Sequence, residues 1–264
     1  MSQIIPAVLT VGGTGLVFGC ILAFASFIFK VEEDERTELI VKVLPGANCG
    51  GCGYAGCAAY AAAIVEGKAP LNACGVGKEA VSKKIAEIMG AEAESAEPLV
   101  ASVMCVGTCD LAKEKYEYDG IADCVSANKL AGGAKACRNG CLGLGSCAKV
   151  CPFGAISVSD GVAVVDKEKC TACGKCVSTC PKHIIKLIPQ KSKYVVKCSS
   201  TAAGAQTIKA CSAGCIGCKM CEKNCPKSAV KVENNLAEID YSICVGCGIC
   251  AEKCPKKIIR KEEI

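Results

Sequence analysis

The first 29 residues contain no charged side chain, and apolar or small residues fill almost every position. As a helix, residues 4–29 would extend about 39 Å at 1.5 Å per residue, enough to cross a hydrocarbon core of about 30 Å with some tilt. A cleaved signal peptide would need a basic leading segment and a shorter apolar stretch, and neither is present. The reading is therefore one transmembrane helix over residues 1–30. The basic flank of Lys30, Arg36 and Lys42 places the remainder of the chain on the cytoplasmic side of the cell (inner) membrane in a single-pass topology. Gly15, Gly19 and Ala23 share one helix face, where they would admit a neighbouring helix or simply reflect the small residues common in such spans.

Beyond a charged connector (31–43) the patterning is short-ranged. An Ala-rich run at 58–65 predicts a helix, and Val81, Ile85, Ile88 and Met89 recur at helical spacing. Residues 91–98 read as a boundary. Two hairpins are predicted from alternating apolar positions around Gly- or Asn-containing turns: 155–158 with 162–165, and 229–232 with 236–239.

Composition changes this picture more than hydropathy does. Of 264 residues, 26 are Cys, one is His and none is Trp. A single His excludes a His-rich zinc site, and the absence of CxxCH excludes haem attachment. At 51% hydrophobic the chain is neither fibrous nor disordered, and its length and spacings do not suit a secreted disulfide scaffold. The formal charge of +5 is provisional, because metal-bound thiols lose their protons. Several clusters of about two net negative charges each would turn it negative. The 31 Lys and Arg then read as compensation for buried anions and not as a nucleic-acid footprint.

The cysteines fall into motifs. Cys49, Cys52, Cys57 and Cys74 form C-x2-C-x4-C-x16-C in a Gly-rich segment, suited to gripping an iron–sulfur cubane, with a four-thiolate zinc ion as the alternative. Farther on, the chain repeats itself at an offset of 74 residues without a gap. Cys198, Cys211, Cys215, Cys221, Cys225, Cys244, Cys247, Cys250 and Cys254 map onto Cys124, Cys137, Cys141, Cys147, Cys151, Cys170, Cys173, Cys176 and Cys180. The bacterial ferredoxin run C-x2-C-x2-C-x3-C-P stands at 170–181, 215–226 and 244–255. In such a run the fourth Cys ligates the other cluster of the pair.

That rule predicts three regular [4Fe–4S] sites: Cys215, Cys218, Cys221 and Cys254; Cys244, Cys247, Cys250 and Cys225; and Cys170, Cys173, Cys176 and Cys151. A fourth site is irregular, because Leu144 stands where the second copy has Cys218. We expect Cys137, Cys141, Cys147 and Cys180 there, with a three-cysteine [3Fe–4S] site or an external ligand as the competing outcome. Cys105, Cys109 and Cys124 would supply an additional cluster if Cys198 or Cys211 joined them. Free thiols are the alternative, and a disulfide is disfavoured in the cytoplasm. The expectation is five [4Fe–4S] clusters, with room for a sixth. Cys20 reads as an inert apolar residue and His183 as a surface or outer-sphere residue.

The fold class expected is α+β: the transmembrane helix, a small Cys-rich Fe–S module (44–90), then two tandem bacterial-type 2[4Fe–4S] ferredoxin units. The first (98–186) carries the extra Cys segment and the second is 187–264. There is no nicotinamide fingerprint, P-loop or acid–base constellation. Gly13-Thr14-Gly15 lacks a preceding strand, and the third Gly falls at the wrong place for a dinucleotide fingerprint. The basic tail Lys253, Lys256, Lys257, Arg260 and Lys261 would balance charge beside a cluster or steer an acidic partner.

An amino-terminal span, the C-x2-C-x4-C-x16-C module and ferredoxin repeats together closely resemble the electron-transport B subunit of the bacterial Rnf complex, over essentially the whole chain. The resemblance implies a component of a membrane-bound ion-translocating ferredoxin:NAD+ oxidoreductase. Such a component takes electrons from reduced ferredoxin and passes them toward flavin and membrane subunits. The NAD site and ion path then belong to partner subunits, and no nucleic acid is involved. Shorter members of this family carry one ferredoxin unit, whereas this chain has two. The same relay in another membrane redox assembly, or a zinc-stabilised interaction module, are the competing readings.

Overall fold

The computed structural model describes residues 4–28, 34–92 and 97–262. Lys30, residues 31–33 of the connector and residues 93–96 of the expected boundary lie outside the described residues. Helix α1 runs Ile4–Ile28. Its described side chains, residues 12–25, include Leu16, Phe18, Leu22 and Phe24, all exposed. Among the described residues no helix is long and apolar enough to cross a membrane.

The connector is not a linker throughout. Residues Glu35–Val43 form helix α2, started by Asp34, whose carboxylate accepts the Arg36 backbone N–H at 2.9 Å and pairs with the Arg36 guanidinium. Ile40 is fully buried against α3 (Cys57–Val65) and α4 (Lys78–Met89), with Leu44, Tyr60, Ile64 and Ile85. Sequence patterning missed this because one apolar face of nine residues is hidden among charges. Val81, Ile88 and Met89 pack on the same core. Tyr60 OH donates to Pro70 O (2.7 Å) and accepts from Ala73 N–H (3.0 Å), tying down the loop that delivers Cys74.

The rest of the chain is two similar units. The first contains β1 (Leu99–Val103), α5 (Cys124–Lys129), α6 (Ser146–Lys149), β2 (Ile156–Ser159), β3 (Val162–Val165), α7 (Lys175–Thr179) and β4 (Ile185–Pro189). The second contains β5 (Tyr194–Val196), α8 (Gly204–Ala210), α9 (Met220–Lys223), β6 (Val230–Glu233), β7 (Leu236–Ile239), α10 (Ile249–Glu252) and β8 (Ile259–Lys261). Among the described residues the sheets are four antiparallel pairs: β1–β4, β2–β3, β5–β8 and β6–β7. Both hairpins lie where alternation predicts them, whereas β1, β4, β5 and β8 pair across long separations that local pattern does not reveal. Strand β4 crosses the expected division at 186/187, since Leu99 pairs with Pro189.

Thiols make up a large part of each core. Cys141, Cys147, Cys176 and Cys180 are buried with Val103, Ile156, Val162, Ile184 and Ile185, and Cys215, Cys221 and Cys250 with Val196, Val230, Ile258 and Ile259. The 74-residue repeat extends to single hydrogen bonds: Asp166 N–H donates to Ala155 O at 2.7 Å, and Asp240 N–H to Ala229 O at 2.8 Å.

Candidate metal centres

Four recesses of closely similar size, about 330 to 380 Å3 each with open solvent included, are lined by cysteines. The first takes Cys49, Cys52, Cys57 and Cys74. Asn48 Oδ1 accepts the Cys57 backbone N–H (2.8 Å), which fastens the Gly-rich loop to the start of α3. Gly77 N–H donates to Cys74 Sγ at 3.4 Å. This recess also touches Cys173 of the first ferredoxin-like unit. Gly51 approaches it so closely that a β-carbon there would lie 2.5 Å from Cys173 O.

Cys215, Cys218, Cys221 and Cys254 line a second recess. Burial pushes the Cys221 thiol up to about 11, and the neighbouring Cys215 and Cys254 add to the shift. Two further groups show in the same way. Cys176, pushed up to about 11 mainly by burial, also feels Cys170, Cys173 and Cys151. Cys250 is raised by burial and by Cys244, Cys225 and Cys247. The loops before α7 and α10 turn at Gly174 (φ +76°) and Gly248 (φ +85°), a left-handed conformation that glycine adopts without penalty. Ala155 and Ala229 N–H donate to Cys151 and Cys225 Sγ at 3.4 and 3.3 Å.

The irregular site is assembled differently from the sequence expectation. Its recess is lined by Cys124, Cys141, Cys147 and Cys180, and Cys137 is absent from it. The cause is local. Asp123 caps α5 by accepting Ser126 N–H (2.8 Å) and also accepts Ser146 Oγ–H (2.6 Å), while Ser146 Oγ accepts Cys124 N–H (2.7 Å). Cys124 is thereby tethered beside Cys147. Burial pushes the Cys147 thiol up to about 12, with Cys141, Cys124 and Cys180 contributing.

Cys137 stands instead with Cys105, Cys198 and Cys211 around a further recess between the two units. Pairing of Lys113 O with Ala136 N–H and of Ala134 O with Lys115 N–H (2.7 Å each) draws the Cys137 loop there. Both Cys198 and Cys211 belong to this group, where the sequence reading required a choice between them. Burial raises Cys137 and Cys211 and takes Cys198 to about 11. Cys109 belongs to neither recess. It is exposed, its backbone N–H bound to Asp160 O (3.0 Å). Cys20 is also exposed, and so is His183, whose N–H donates to Cys180 O.

The donor set suits an iron–sulfur cluster. Soft sulfur surrounds every recess, backbone N–H groups point at several of the sulfurs, and each recess is walled by apolar side chains that limit solvent. Among the described residues, no three His, Cys, Asp or Glu side chains converge as ligands of one metal ion would; the thiols stand back around a larger space. Burial raises Cys147, Cys176, Cys198 and Cys221 above the ordinary thiol range, and metal binding reverses that by stabilising the thiolate.

Three family models match this chain: a putative Fe–S cluster model over residues 44–76, a 4Fe–4S binding domain over 163–186 and a 4Fe–4S dicluster domain over 214–259. Fold and thiols thus define an iron–sulfur protein of bacterial ferredoxin type. Among curated relatives, the B subunit of the Na(+)-translocating ferredoxin:NAD(+) oxidoreductase complex of Acetobacterium woodii is 48% identical over 91% of this chain and 73% of its own length. Its counterpart in the proton-translocating complex of Clostridium ljungdahlii is 47% identical over 92% and 86%. The B subunit of the ion-translocating oxidoreductase complex of Methanosarcina acetivorans is 42% identical over 90% and 91%. The chain belongs to the family of B subunits of the ion-translocating (Rnf) oxidoreductase complexes.

Proposed function

We propose that this chain is the electron-relay subunit of a membrane-bound ion-translocating ferredoxin:NAD+ oxidoreductase, accepting electrons from reduced ferredoxin and delivering them to flavin-bearing and membrane partner subunits. The observation that carries this reading is that four recesses are each lined by at least four cysteines; with the two further groups that the ferredoxin runs imply, 24 of the 26 cysteines are taken up and Cys20 and Cys109 are left over. The groups assigned to [4Fe–4S] clusters are Cys49/52/57/74, Cys151/170/173/176, Cys124/141/147/180, Cys105/137/198/211, Cys215/218/221/254 and Cys225/244/247/250. When bound, such clusters supply reversible one-electron chemistry at potentials set by charge, hydrogen bonding and burial.

The residues around the thiols provide those settings. Cys141 N–H bonds Cys105 Sγ (3.4 Å) and Cys215 N–H bonds Cys198 Sγ (3.3 Å), so ligands of neighbouring groups lie within one hydrogen bond of each other. Gly51 brings the amino-terminal module against the Cys173 loop. The groups therefore succeed one another from the module through the first unit and the recess between units into the second. Units 98–186 and 187–264, apart from the strand that crosses their division, correspond to two dicluster ferredoxins.

Helix α1, the uncharged run of 1–29 and the exposed Leu16, Phe18, Leu22 and Phe24 support a single membrane span. The basic residues beside it support a cytoplasmic site for the cysteine-rich part. Lys256 donates to Ser212 O (2.9 Å) and its charge bears on Cys211, which favours local charge balance for that residue of the tail.

The test is anaerobic mixing of the full detergent-solubilised chain with reduced ferredoxin. Bleaching of iron–sulfur absorbance within the mixing experiment is expected. A chain with full iron content that never bleaches would contradict the role. Carbonate extraction of membranes should leave the chain in the pellet, and its release would contradict the span.

A further inference from the structure

We infer that the buried ammonium of Lys135 is a counter-charge shared by two adjacent cofactors, those of the Cys124/141/147/180 and Cys105/137/198/211 recesses, and that it raises the electron affinity of both. This rests on the reading that both recesses hold [4Fe–4S] clusters.

Lys135 is only 4% exposed. Its Nζ donates to Gly107 O (2.6 Å) and Gly161 O (2.7 Å), and among the described residues no carboxylate pairs with it. Lysine is almost never this buried without an anionic partner, because withdrawing an unpaired ammonium from water is costly. Two carbonyl dipoles offset part of that cost. Its backbone is held as well, bridged to Glu114 and flanked by the Lys113–Ala136 and Lys115–Ala134 hydrogen bonds. The anions that would justify the arrangement are the two neighbouring thiolate-ligated clusters.

Placement between them is seen from both sides. Gly107, one of its two acceptors, lines the Cys105/137/198/211 recess, where a β-carbon on it would stand 3.5 Å from Cys105 Sγ and 3.6 Å from Cys211 Sγ. Gly161, the other acceptor, has its carbonyl against Gly143 of the Cys141 loop, and the charge of Lys135 accordingly bears on Cys211 and Cys141. A second lysine is similarly set: Lys182 donates to Gly132 O (2.7 Å) and faces Cys137 of one group and Cys180 of the other. The feature is specific to the first copy, because the residue 74 positions later, Lys209, is exposed on α8. Reduction adds a negative charge to a cluster, and a fixed cation beside it in a poorly screened interior favours that state. Lys135 therefore makes the contact between the two units a place where an electron is held more firmly than by either group without it.

The experiment is an EPR-monitored redox titration of the anaerobically purified full chain, with iron content measured on each sample, for wild type, Lys135→Gln and Lys135→Arg. Glutamine keeps a donor for the two carbonyls and removes the charge. The expected result is full iron with two midpoint potentials moved negative by at least tenfold in electron affinity (about 59 mV for one electron), the others unmoved, and wild-type potentials in Lys135→Arg. If Lys135→Gln loses iron, wild-type iron and potentials in Lys135→Arg still bear the proposal out. Unchanged potentials in a fully loaded Lys135→Gln, or an arginine variant that behaves like the glutamine one, would overturn it. A wild type lacking clusters in these recesses fails at the underlying reading, and iron content shows that separately.

Discussion

The backbone N–H of Cys141 donates to Cys105 Sγ at 3.4 Å, linking a residue of one thiol group to a residue of the next. The corresponding contact on the far side, Cys215 N–H to Cys198 Sγ at 3.3 Å, links that group onward to the second unit. A donor aimed at sulfur stabilises the thiolate, so each contact favours metal binding as well as closeness. The recess between the units is thus fastened to both.

The regrouping of Cys124 and Cys137 has a direct consequence. Cys124→Ser should disturb the same cluster signal as Cys147→Ser, and Cys137→Ser the same one as Cys211→Ser. Each is expected to remove about one cluster, or one iron from it, as read by EPR and iron content. If Cys124→Ser and Cys211→Ser affected one common signal, the grouping would be wrong.

Cys109 is left outside every group, and Cys20 lies in α1. The double variant Cys20→Ser/Cys109→Ser should retain all of its iron and its EPR spectrum. Loss of about four irons would assign one of them to a cluster.

Gly51 meets the Cys173 carbonyl with no room for a side chain. Gly51→Ala should loosen the module from the first ferredoxin-like unit at a cost of about 1–3 kcal/mol, the usual range for overpacking. Limited proteolysis between the module and the first unit should accelerate in the variant while its iron content stays at the wild-type level. Equal cleavage rates would show that the contact carries no weight.

Glu262 sits between Lys167 of the first unit (3.1 Å) and Lys197 of the second. Burial pushes its carboxyl up, but the hydrogen bonds and charges of Lys197 and Lys167 outweigh that and hold it below the usual carboxylate range. A depressed folded-state value means this pairing stabilises the fold above the ordinary carboxylate range, near pH 4.3, and loses that contribution as pH falls through the lower folded value. Glu262→Gln should lower the anaerobic Tm at pH 7, with the difference from wild type narrowing in acid. A constant difference across that window would contradict the ion-pair account.

Much of this was legible in the sequence because the 74-residue offset is exact in register and the ferredoxin runs are compact. Both hairpins, the helix at 57–65 and the three regular thiol groups need only local rules. The remainder depends on contacts that spacing does not encode. Nothing in a cysteine count shows that Asp123 and Ser146 tether Cys124 beside Cys147, or that the Lys113–Ala136 pairing carries Cys137 away. A signal did exist in the repeat: Cys124 and Cys137 are the counterparts of Cys198 and Cys211. Choosing among those four requires knowing that the Cys137 loop reaches across to the second unit. Helix α2 was obscured for a simpler reason, since its apolar residues Leu39, Ile40, Val41 and Val43 are interspersed with Glu35, Arg36, Glu38 and Lys42 in a nine-residue segment.

If each of the six groups of four cysteines holds one [4Fe–4S] cluster, iron and labile sulfide determined per chain on the anaerobically prepared protein should come to about twenty-four of each. About twenty would leave one group without a cluster, and zinc in place of iron and sulfide would contradict the account as a whole.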